Sequence, residues 1–292
     1  MLEFLLGILE QGLIYAPIVL GVYITYSILD FPDLSVDGTF PLGAAVTAVC
    51  ITSGMSPMLA VLLSIAAGAV AGYVTGALHV HLKITNLLCG ILTMTALYSV
   101  NLHIMGKSNI PMLTVDTVFT SPVPKIVVAL LFVVVIKVLL DLYMKTFAGK
   151  SLLAVGVNEQ LVKTLSINTG RLKITGLMIA NGLAALSGSL MAQYQSFADT
   201  GMGTGTVVIG LASVIIGRAV FGKARWIQGS TSVIIGSVIY KLAIGAALKA
   251  GLPSQDMKIM TAVFFVLVML VQKEDWRKRI VGLFKGEGGK SA

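Results

Sequence analysis

Long apolar runs alternate with short clusters of charge, proline or glycine along almost the whole chain. Reading those breaks as ends gives apolar segments at 3–29, 39–54, 57–82, 86–105, 125–145, 173–195, 204–218, 226–248 and 257–272. A helix that crosses a bilayer needs about 20 mostly apolar residues, and most of these runs supply them. Segments 39–54 and 204–218 are shorter. Fifteen residues of helix reach only about 22 Å, against a hydrocarbon core of about 30 Å. The pattern predicts an all-α integral membrane protein: one domain over 1–292, about nine transmembrane helices, two of them short or broken. If 39–54 crosses fully, the N-terminus lies outside; if it dips in and returns, the N-terminus lies inside.

Composition sharpens this. Of 292 residues, 56% are hydrophobic and only 12% charged, and mean hydropathy is +0.93. Soluble domains carry roughly 25% charged residues. The net charge of +8 does not point to nucleic acid, because the basic residues gather in the breaks. Lys83, the 145–173 loop, the 218–225 loop and the tail 273–292 hold fifteen of them, and two spans separate each group from the next. The opposite side holds four: Lys107, Lys125, Lys249 and Lys258. The positive-inside rule puts the first set, and with it the C-terminus, in the cytoplasm of a cell membrane. Met1 to Leu29 lacks the basic start and small-residue cleavage site of a removable signal. Cys50 and Cys89 lie in apolar segments and read as buried, inert thiols. Lys137, Asp141 and Lys145 share one helix face by their spacing of four, which suggests a local ion ladder with snorkelling lysines.

Two stretches resemble one another. Residues 37–82 run from a polar turn through a short apolar helix and a break to a long helix with Gly68, Gly72 and Gly76. Residues 199–248 repeat the order, ending with Gly229, Gly236 and Gly245. If 39–54 crosses, the copies are inverted, a pattern found in transporters with a binding region near the midplane. The glycines spaced by four in 68–76 form a smooth face for close helix packing.

Two segments invite functional readings. In Asp33-Leu34-Ser35-Val36-Asp37-Gly38-Thr39-Phe40-Pro41 the capping residues and early proline predict a helix start near Asp37 to Thr39. Its positive end suits an anionic group, although an ordinary capped loop explains the residues equally well. The stretch 149–173 is long for a loop, with an amphipathic pattern near Leu152–Leu165, and suits either docking in a groove on a partner or a solvated surface helix.

Together these segments resemble the branched-chain amino acid and sugar (ribose-type) ABC permease family, over roughly residues 12–270. Asp33 to Val36 is similar to that family's DLSV-G motif, and residues 154–168 to its A-V-G-x-N-x-x-x-A-x-x-x-G-I-N coupling pattern. Ala154, Val155, Gly156, Asn158, Ile167 and Asn168 match; Val162 and Ser166 stand where the family has Ala and Gly. Gly182 to Gly188, with Asn181 where Ser is usual, and Val208 to Gly222 resemble later helices of the family. Within it the chain is most similar to the branch paired with lipoprotein-type binding proteins, some for aromatic amino acids. The resemblance implies two cytoplasmic ATP-binding subunits carrying ATP and Mg, a second permease subunit (a homodimer first), an extracytoplasmic binding protein, and no cofactor on this chain. It assigns ATPase coupling to Ala154, Gly156, Asn158, Glu159, Ile167 and Asn168. Candidate pathway residues are Asp33, Ser35, Asp37, Thr39, Asn86 and Asn181.

Gly149-Lys150-Ser151 and Gly289-Lys290-Ser291 copy the end of a P-loop, but Met144 and Phe284 occupy the position that needs its first Gly. His79, His81 and His103 have no acidic or thiol companions at ligand spacing. The expected function is an importer permease and not an enzyme. A stand-alone secondary transporter is the alternative, with Lys137, Asp141 and Lys241 as its only deep charges.

Overall fold

The computed structural model describes residues 2–222, 227–251, 253 and 256–272. The basic tail 273–292, with Lys223 and Arg225, lies outside the described residues.

Eleven helices are described: α1 (Leu2–Val22), continued by a π-helical turn Tyr23–Ile28; α2 (Val36–Thr52); α3 (Pro57–Leu82); α4 (Asn86–Met105); α5 (Lys125–Lys145); α6 (Phe147–Val157); α7 (Glu159–Thr164); α8 (Thr169–Gln195); α9 (Thr206–Phe221); α10 (Gly229–Lys249) and α11 (Met257–Gln272). Among the described residues, six stretches are long and apolar enough to cross a membrane: Glu3–Ile28, α3, α4, α5, α8 and α10. Two corrections follow. The chain is not purely helical, because β1 (Asn109–Pro111) pairs antiparallel with β2 (Phe197–Asp199). The 149–173 segment is not one loop with one helix: Asn158 leaves helical geometry between α6 and α7, and its last residues already belong to α8.

The core forms around α8, the most buried of the six spans. Glycine explains how closely its neighbours approach. A Cβ on Gly68 would lie 2.5 Å from the Asn181 carbonyl oxygen, and one on Gly76 3.0 Å from the Ile174 Cα. The predicted smooth face of α3 is therefore the face against α8, where small residues let backbones touch. Hydroxyls complete the packing: Ser187 donates to the Ile14 carbonyl at 2.7 Å, Thr47 to Ser189 at 2.6 Å and Thr75 to Thr93 at 3.0 Å.

These contacts fix directions. α1 meets α8 in reverse order, through Ile14 with Ser187 and Gly21 with Ala180. α2 meets it in the same order, through Thr39 with Asn181 and Thr47 with Ser189. Asn181 is about 18 Å along α8 from Thr169, so α2 starts inside the bundle. Residues 29–35 cover the missing depth without helix. α9 starts beside the first turn of α2, where Gly203 abuts the Asp37 carbonyl and Pro41, and it packs Gly210 against Val22. It is antiparallel to α10, through Gly217 with Ser232 and Ser213 with Gly236, and α10 is antiparallel to α1. The two short helices thus begin together and leave in opposite directions.

The ion ladder on α5 is shorter than its spacing suggested. Lys137 pairs with Asp141 at 2.5 Å and also reaches Gln228, while Ser230 donates to Asp141 at 2.6 Å. This ties α5 to the start of α10. Lys145 is exposed and outside the group.

Candidate functional site

Four of the six candidate pathway residues meet in one buried knot. Asp33 Oδ1 accepts from the Ser35 N–H at 2.8 Å and the Ser35 hydroxyl at 2.6 Å; its Oδ2 accepts from Asn181 Nδ2 at 2.9 Å. Asn181 Oδ1 accepts from Ser35 at 3.1 Å and Thr39 at 2.7 Å. The motif folds this way because the N–H of Ser35, at the start of α2, is free and the Asp two residues earlier caps it. Ser35, Thr39 and Asn181 are fully buried and Asp33 nearly so. None of the four lines a cavity described among these helices, so in this structure they join α2 to α8. Asn86 opens α4, half-buried, and makes no side-chain hydrogen bond to them among the described residues.

Asp37 is the member that faces open space. Its carboxylate accepts from Gly205 N at 3.0 Å, Thr206 Oγ1 at 2.9 Å and Val207 N at 2.8 Å. The helix N-terminus that holds an anion is that of α9, not of α2, and the anion is the protein's own Asp37. Beside it a cavity of about 400 Å³ opens between the first turn of α2, α4 and the 200–204 turn. Asn101 borders it, fully buried, donating to the Gly38 carbonyl at 3.1 Å while its Oδ1 has no partner among the described residues. Asp37→Ala removes about 1–2 kcal/mol of capping. Amides of 204–209 are expected to exchange hydrogen roughly tenfold faster in mass spectrometry; unchanged exchange would reject the capping role.

Nothing in the residue types marked Asn101 as a neighbour of Gly38, or residues 205–207 as partners of Asp37, which lies some 170 positions from Val207. The glycines and threonines of 199–206 were the only signal.

The coupling segment has an inner and an outer face. Inside, a Cβ on Gly156 would collide with the Ile28 carbonyl. α6 therefore rests directly on the π-helical turn that leads to Asp33. Leu152 and Val155 are buried beside it. Outside, Val157 is 88% exposed, and Leu161 and Leu165 are also exposed. Ala154 and Asn158 are exposed and Ile167 half-buried. Asn158 and Asn168 are N-caps, accepting from Leu161 N and Arg171 N, each at 3.0 Å. Ser166 adopts φ +58°, a left-handed conformation that costs a residue with a Cβ about 1 kcal/mol relative to glycine.

Glu159 bolts α7 to the base of α8. It pairs with Lys173 at 2.7 Å and Lys163 at 3.0 Å and accepts from Thr169 at 3.2 Å. The hydrogen bond from Lys173 is the largest cause holding its carboxyl down at about 2, opposed by partial burial. Since this lies below the ordinary 4.5, the contact stabilises the segment above that pH and is lost as pH falls toward 2. Glu159→Gln should lower the melting temperature at neutral pH. The difference from the unsubstituted protein should close between 4.5 and 2; a difference independent of pH would refute the pairing.

Residues 4–272 match the family described as branched-chain amino acid transport system / permease component. The chain belongs to that family. The permease is 50% identical to the tyrosine transport system permease protein of Clostridioides difficile, over 90% of this chain and 89% of the relative. An uncharacterized protein of Rickettsia prowazekii is 35% identical over 94% of the permease and 100% of its own length. The ribose import permease protein of Bacillus subtilis is 29% identical over 82% and 74%. No solved structure matches the permease. Membership fixes it as a multi-pass membrane component of a transport system.

Proposed function

We propose that this permease is the translocation subunit of an ATP-driven importer carrying an amino acid, aromatic side chains included, delivered by an extracytoplasmic binding protein. Two copies pair with two cytoplasmic ATP-binding subunits, which carry the ATP and Mg; the permease itself holds no cofactor. The C-terminus is cytoplasmic and the N-terminus external, because the 29–35 segment and α2 together complete a crossing. The nine spans form an inverted repeat, an assignment supported by the common origin and opposite directions of α2 and α9.

The observation that carries this reading is the two-faced coupling segment. Its uncovered apolar residues suit a groove on an ATPase, while Gly156 presses on the turn leading to the Asp33–Asn181 knot. Closure of the ATPases on ATP moves α6, hence Ile28, residues 29–35 and α2. ATP shifts the population between inward- and outward-open states by binding one more tightly. Substrate choice follows the relatives: one is named for tyrosine and another for ribose, and the 50% identity favours the first.

The test is uptake into proteoliposomes holding the permease with its ATPase and binding protein. Amino-acid uptake should require internal or external ATP on the ATPase side and all three components. Uptake by the permease alone, driven by an ion gradient, would replace this reading with a secondary transporter.

A further inference from the structure

Lys241 is a cation inside the bundle that the coupling mechanism does not use. Lys137, Lys163 and Lys173 all pair with carboxylates. Among the described residues Lys241 has no ion pair and no hydrogen bond; its ammonium lies over the Tyr15 ring, 3.8 Å from the centroid. A cation–π contact offsets only part of the cost of withdrawing an ammonium from water, and a charge within a span is a functional candidate by default.

Its surroundings point to an anion. Lys241 borders a cavity of about 260 Å³ between α9, α10 and α11, walled by Val208, Ile209 and Ile244. A second cavity of about 210 Å³, flanked by Glu3 and Gln11, meets Lys241 from the α1 side. Glu3 is not within ion-pair distance. The start of α9 would be the other anion-binding feature here, but its Gly205 and Val207 N–H groups are already taken by Asp37. Among the described residues Lys241 is thus the uncommitted positive group facing this space, with Tyr15 and apolar walls around it. We propose that Lys241 binds the carboxylate of the transported solute, while the apolar walls take a side chain that is itself apolar or aromatic. This deepens the importer reading above and rests on it.

The test uses the complete transporter in proteoliposomes, offered an equimolar mixture of the twenty protein amino acids and read by mass spectrometry. Losing one charge-assisted contact corresponds to about tenfold or more. Lys241→Met is therefore expected to cut ATP-driven uptake by about that factor at equal chain abundance. Lys241→Cys should be equally impaired, recover with 2-aminoethyl methanethiosulfonate, which restores an ammonium, and not with the methyl reagent. Labelling at that cysteine, scored against the parent with its own Cys50 and Cys89, should slow with the amino acid taken up and not with its decarboxylated amine. Uptake by Lys241→Met equal to the parent, rescue by the neutral reagent, or protection that follows phosphatidylglycerol content instead of the amino acid would each overturn the assignment. Failure of the importer reading shows separately, as a parent complex without ATP-driven uptake.

Discussion

Asn181→Leu is expected to abolish recovery of most of the folded protein. The side chains are close in size, so the loss is chemical. Leucine removes the donor to Asp33 Oδ2 and the acceptor for Thr39, leaving Oδ2 without its partner in a buried site while Ser35 still serves Oδ1. Leaving buried hydrogen-bonding groups without their partner costs about 1–3 kcal/mol each, and more for a charged group. Replacing both partners costs less than the sum, because no orphan remains. Asp33→Leu with Asn181→Leu should therefore recover part of the loss, with a coupling of about 0.5–3 kcal/mol. Size-exclusion profiles and melting curves in detergent measure this. Additive single effects would show that the two side chains do not depend on one another.

Gly156→Val should uncouple the transporter. The obstacle to its new methyls is the Ile28 main chain, not a side chain that can turn away. α6 must lift from the π-helical turn, an overpacking that costs about 1–3 kcal/mol and separates the segment from the element it drives. The expected result is a roughly tenfold or greater fall in substrate-stimulated ATP hydrolysis, with the ATPase still bound through the outer face. Val157→Ala, at a residue 88% exposed, controls for local change in helix stability and should leave the stimulation largely intact. Full stimulation in Gly156→Val would show that the contact with Ile28 does not transmit.

The spans were legible because charge and turn residues mark where a bilayer helix must end. The boundaries of α3 and α4 agree with the apolar runs, and the Gly68–Gly76 stripe announced a tight helix contact. Starts were less legible. α8 begins at Thr169, not near 173, because a capped turn extends the helix through Arg171 and Lys173 into the polar region. The strand pair was invisible: three residues give no alternation to read, and pairing 109–111 with 197–199 depends on helices that bring them together. Asp33, Ser35, Thr39 and Asn181 stood out as polar groups in apolar surroundings, but the sequence does not say whether such groups face a cavity or one another. Here they face one another, across as many as 148 positions. Lys241 was visible as a deep charge; that it lacks a carboxylate and lies over Tyr15 is a property of the packing between α1 and α10.

The central claim is that this permease works as part of an ATP-driven complex. Purifying the tagged chain from its native membrane in mild detergent, and identifying by mass spectrometry what accompanies it, tests that most directly. Stoichiometric recovery of an ATP-binding subunit, with a substrate-binding protein, is the predicted result. Recovery of the chain alone, competent for uptake in liposomes without ATP, would contradict it.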